Sequence, residues 1–95
     1  MEKALIMEAD DNVATAIADL EAGEMVTMSI GSLRRQVTLR EPVPFGHKLA
    51  LQPLAKGANV VKYGEVIGRT RAGILEGQHV HVHNIESLRG RGDLK

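Results

Sequence analysis

Hydrophobic and polar positions alternate over most of this chain, and glycine interrupts the alternation at short intervals. A period of two is the signature of a strand with one face buried. Lys3 to Met7 predicts an opening strand, and Asp10, Asp11 and Asn12 form a turn and cap cluster. Val13 to Leu20 is compatible with a short helix or a strand, and the strand is preferred because the rest of the chain is built that way. Val26 to Ile30 and Leu33 to Leu39 are two alternating arms around Gly31-Ser32. Glu41 to Gly46 carries Pro42 and Pro44, which hold it extended and out of a central strand, so it is expected to link two halves. Leu49 and Leu51 alternate in the next strand, and Val60, Val61, Val66 and Ile67 are core candidates around Gly64.

One pattern recurs: an aliphatic residue, two variable residues, glycine, two more residues, then valine. It occurs as Leu20 to Val26 around Gly23, as Leu54 to Val60 around Gly57, and as Ile74 to Val80 around Gly77. Each copy predicts a tight turn closed by a glycine with positive φ and leading into a strand, with its first and last residues in the core. Three copies in 95 residues predict an all-β domain of short strands and glycine turns.

The third copy runs into Gly77-Gln78-His79-Val80-His81-Val82-His83-Asn84, which holds three of the four histidines. On one continuous strand, Val80 and Val82 would face the core and His79, His81 and His83 would line the other face. At roughly 3.3 Å per residue, His79 and His83 would then lie about 13 Å apart. Metal–imidazole bonds are only about 2.0–2.1 Å, so one ion could take a neighbouring pair but hardly all three. A further imidazole would have to come from His47, which stands with Lys48 beside Gly46 at the start of another strand. Such a row suits proton transfer, anion binding or metal binding.

Composition narrows the function. Twelve basic and twelve acidic residues cancel, which argues against nucleic-acid binding by bulk charge. Phe45 and Tyr63 are the only aromatic residues of the Phe, Tyr and Trp class, too few for a base-stacking platform. Cysteine is absent, which excludes disulfides and thiolate metal sites. No apolar run is long enough to span a bilayer and no signal peptide is evident, so a soluble, cytoplasmic protein without a membrane partner is expected. Ninety-five residues make one small domain with little material to enclose a deep pocket, so a partner chain is expected.

Four blocks in this order resemble the N-terminal region of altronate dehydratase and galactarate dehydratase. They are Pro44 to Leu51, Val61 to Gly68 after Gly57, Gly77 to Asn84, and the tail Glu86 to Asp93. That region is a SAF domain, and the resemblance implies a β-clip fold over residues 1–85, with 86–95 as a tail that is flexible or docked on a large subunit. The same family is found as the small subunit of sulfolactate sulfo-lyase. What the resemblance implies is the small subunit of a lyase that eliminates water, or sulfite, β to a carboxylate of a sugar acid or hydroxy acid. The alternative is a non-catalytic SAF module that binds carbohydrate or anions. The resemblance puts His79, His81 and His47 in the catalytic pocket, with Lys48, Lys62, His83 and Asn84 contacting substrate. It implies a divalent metal, iron or a similar ion, held mainly by the large subunit. Self-association of the chain is left open.

Overall fold

The computed structural model describes residues 2–88. They form nine strands and no helix among the described residues: β1 (Ala4–Leu5), β2 (Val13–Ala16), β3 (Met25–Ile30), β4 (Leu33–Thr38), β5 (Lys48–Ala50), β6 (Asn59–Lys62), β7 (Glu65–Thr70), β8 (His79–Val80) and β9 (Ile85–Ser87). This is the all-β architecture expected from the sequence. All pairings are antiparallel, in sheets ordered β1-β2-β5-β8, β3-β4 and β6-β7-β9.

The first of these sheets is the middle layer, and its residues divide by parity. Ala14, Ala16, Leu49 and Leu51 join Val26, Met28, Val37 and Leu39 of the β3–β4 arm in one core cluster. Val13, Ala50 and Val80 join Val60, Ile67 and Ile85 of β6, β7 and β9 in a second. A sheet covered on both faces is apolar at consecutive positions, and small alanines let both outer layers approach. This is why Val13-Ala14 and Leu49-Ala50-Leu51 carry no polar residue.

The three repeats form three turns of the same kind. In each, the residue after glycine donates its N–H to a carbonyl three residues back: Glu24 to Glu21 at 3.2 Å, Ala58 to Ala55 at 3.1 Å, Gln78 to Leu75 at 3.0 Å. Gly23, Gly57 and Gly77 have φ of 85°, 83° and 84°, the third position of a type II turn. A fourth copy exists. Val43-Pro44-Phe45-Gly46-His47-Lys48-Leu49 has Gly46 at φ 85° and His47 donating to Pro44 at 3.0 Å. Leucine stands where the other copies have valine, and the two prolines made this stretch read as a linker. The turns pair through bridges between Leu20 and Val43 and between Leu54 and Ile74.

Several expectations change. The opening strand contracts to two residues, while the strand preferred after Asp11 is present as β2, so the Asp10–Asn12 cluster caps no helix. Instead the buried Asp11 carboxylate accepts four backbone N–H groups, from Met7, Glu8, Tyr63 and Gly64. Val66 is exposed and Val61 half-buried, because the β6–β7 hairpin covers the core with only one face. The histidine strand ends at Val80. Residues 81–84 turn, and Val82 is 70% exposed instead of facing the core. β9 includes Glu86, so the expected boundary between residues 85 and 86 falls inside a strand, and residues 89–95 of the expected tail lie outside the described residues.

Candidate functional site

The site forms where β5 pairs with β8. Lys48 stands opposite Val80 and Leu49 opposite His79, so the antiparallel register brings His47, just before β5, alongside the end of β8. His47 is the residue after Gly46 in one turn, and His79 is the second residue after Gly77 in the other. That juxtaposition sets Nδ1 of His47 and Nε2 of His79 2.8 Å apart.

His81 reaches the same place because the chain turns back after Val80. Asn84 holds that turn: its Nδ2 donates to the His79 carbonyl at 2.7 Å and its Oδ1 accepts the His81 N–H at 2.9 Å. The N–H groups of Asn84 and Ile85 both donate to the His81 carbonyl at 3.0 Å. The backbone N–H of His79 donates to Glu41 Oε2 at 3.0 Å. As a result the His81 ring lies face to face on His47, centroids 3.7 Å apart and planes 12° apart, and His79 lies 5.0 Å from His47 and 5.7 Å from His81. The exposed His83 tilts against His79 at 5.0 Å. An extended strand would have put His79 and His83 about 13 Å apart; the turn closes that distance.

His47, His79 and His81 each offer one nitrogen, all within 4.8 Å of one another, and all three rings are half-buried. Donor type and number therefore fit a metal ion that prefers nitrogen. Burial lowers the pKa of His79 most, with further lowering from His83 and His47. Burial also leads for His81, followed by His47, Lys48 and His83. Both rings are therefore held neutral near pH 7, the form that accepts a proton or binds a metal.

A groove of about 310 Å³ adjoins the cluster, lined by Lys48, Lys62, Tyr63, His81, Val82 and Ile85 among others. Lys48 leaves the middle sheet on the face of the second cluster, and its pKa is lowered first by burial and then by Lys62. Two ammonium groups facing one groove favour an anionic occupant such as a carboxylate. Lys62 also lies over the Tyr63 ring, 5.0 Å from its centroid. Tyr63 sits at φ 58°, held there by the Asp11 carboxylate. Across β2 and β5 from Lys48, Thr15 has a buried hydroxyl with no hydrogen-bond partner among the described residues.

The structure thus gathers His47, His79, His81 and His83 into one row of rings, and sets Lys48 and Lys62 beside it. Asn84 is buried and engaged with the backbone, so its visible work is to shape the histidine turn. Glu41 was not singled out in the sequence, Asp11 was read only as part of a turn and cap cluster, and Tyr63 only as a residue beside Gly64. Their roles are backbone contacts across 38, 53 and 52 positions, to which no local pattern refers.

The profile of the altronate/galactarate dehydratase SAF domain matches residues 2–88. Altronate dehydratase of Escherichia coli is 53% identical over 74 residues, covering 78% of this chain and 14% of that protein. Subunit alpha of (2R)-sulfolactate sulfo-lyase from Chromohalobacter salexigens is 39% identical over 88 residues, covering 90% of this chain and 94% of that one. Altronate dehydratase of Bacillus subtilis is 31% identical over 87 residues, covering 92% of this chain but 17% of that protein.

Proposed function

Because this chain belongs to the altronate/galactarate dehydratase SAF domain family, we propose that it serves a lyase acting on a sugar acid or hydroxy acid. In this reading it lines a pocket completed by a large catalytic chain. The observation that carries the reading is the convergence of His47, His79 and His81 beside the two lysines of the groove. Loss of water β to a carboxylate needs the anion held, a proton removed from the α-carbon, and help for departing hydroxide. Lys48 and Lys62 hold the carboxylate as point charges. His83, exposed at the end of the row, and the turn shaped by Asn84 meet the substrate hydroxyls. Neutral imidazoles serve the elimination through their lone pairs, which take up a proton or hold a metal. A divalent ion, iron or a similar one, supplies Lewis-acid help to the leaving group when bound. His47, His79 and His81 are the residues of this chain fitted to hold it.

The chain spans only about 14% of the E. coli altronate dehydratase it matches, and 94% of the sulfo-lyase subunit alpha. The match to subunit alpha supports sulfite elimination as the alternative to dehydration. The test mixes the purified chain with the large catalytic chain of the same genome, expected at roughly 350–400 residues from ordinary domain sizes. Altronate, galactarate and sulfolactate are supplied in turn, and the 2-keto product and released sulfite are measured. Turnover is expected only in the mixture, and His81→Ala should reduce it about 100-fold or more while the complex still assembles. Turnover by the isolated chain, or full rate in the variant, would overturn the proposal.

A further inference from the structure

The nitrogens of His47 and His79, 2.8 Å apart, either share one ring's N–H in a hydrogen bond or turn their lone pairs to a common cation. A third nitrogen, from His81, completes a triangle with no side longer than 4.8 Å. Donor atoms of a four-coordinate centre with bonds of about 2.0–2.1 Å stand roughly 3.3 Å apart. The triangle brackets that spacing.

From this geometry we propose that His47, His79 and His81 of this chain form a complete three-imidazole site for a divalent first-row transition metal ion. The chemistry of the donors selects the class of ion. Three neutral nitrogens and no carboxylate suit zinc, iron, cobalt, nickel or copper, and poorly suit magnesium or calcium. The ion keeps its full charge, and three protein ligands leave a further position for an external one. His81 is shared between the triangle and the groove of Lys48 and Lys62, so an anion held by the lysines lies next to the ion. The outer contacts are of the kind that orient ligands: Asn84 fixes the backbone at His79 and His81, and Glu41 fixes His79 from a third segment. Instead of a few ligands added to a site on the large chain, the small chain then brings the metal to the complex.

The proposal rests on donor geometry and stands apart from the lyase reading. Metal uptake by this chain with no turnover in any complex would end that reading and leave this one, and turnover without metal uptake here would do the reverse. The test uses the full chain, stripped of metal, with Co²⁺ as the probe. Visible d–d absorption is expected to saturate at one Co²⁺ per chain and to resist excess Mg²⁺. His47→Ala and His81→Ala should each weaken binding at least about 100-fold, beyond what outer contacts usually contribute, and His83→Ala should leave it unchanged. Because a variant can lose its fold, Zn²⁺ is also titrated into the unaltered chain while the imidazole ¹⁵N resonances are followed. Three rings should shift together up to one equivalent while the fourth, His83, does not. Absence of stoichiometric binding, binding that survives in a folded His47→Ala, or shifts centred on His83 would overturn the proposal.

Discussion

At the scale of single residues, burial favours the uncharged form of two of the site's imidazoles, His79 and His81. The pKa values of His79 and His81 are both lowered, chiefly by burial. The unfolded chain, with histidines near their ordinary value of about 6.5, therefore binds more protons than the folded one as pH falls below that value. Stability supplied by these groups is fully present above about pH 6.5 and is lost as pH falls toward their folded values. Metal-free protein should accordingly show a falling thermal midpoint between about pH 6.5 and 5, before most carboxylates titrate. A variant with His79→Gln and His81→Gln should show a flatter profile over that interval. Equal slopes would mean that burial does not set the charge of these rings. The presence of the histidines and their chemistry were legible from spacing alone, since three in five residues is dense. Their arrangement was misjudged, because Val80 and Val82 imitate a continuing strand while Asn84, three positions after His81, closes a turn.

At the scale of elements, the unit is the type II turn with glycine at its third position, used four times among the described residues. Its copies are not equally replaceable. Gly23 has a left-handed backbone but open space around a would-be Cβ. A Cβ on Gly77 would instead run into the carbonyl oxygen of Thr38, at φ 84°. Gly23→Ala should therefore cost about 1–2 kcal/mol, and Gly77→Ala more than about 3 kcal/mol, because backbone strain and overlap add. Urea unfolding of the two variants checks the difference, and equal midpoints would show that the contact relaxes freely. The same Gly77 turn delivers His79, so the more damaging substitution should also displace the histidine resonances. Three copies were readable from a shared valine. The fourth, which supplies His47, was hidden because turn geometry asks for glycine and an apolar anchor but is indifferent between leucine and valine.

At the scale of the molecule, a four-stranded sheet lies between two apolar layers, and the site sits at the edge where its last two strands meet. Leu49 is fully buried in one layer and is the register partner of His79. Leu49→Ala should cost about 2–5 kcal/mol through the cavity it leaves, and should loosen the His47–His79 approach by disturbing the β5–β8 pair. Denaturant midpoints read the first effect and histidine chemical shifts the second. A loss below about 1 kcal/mol would mean that the outer layers collapse to fill the space.

The sequence by itself determined the class of fold, three of its four turns, the residue types of the candidate site and the family. These follow from period, glycine placement and residue type, which are local properties of a chain. Tertiary structure alone decided that His47 faces His79, that the chain turns back at His81, and that Lys48 and Lys62 share one groove. Those relations join residues 32 positions apart in the first case, and they exist only after two sheets have packed against a third, since the burial that sets the register is a property of the assembled layers.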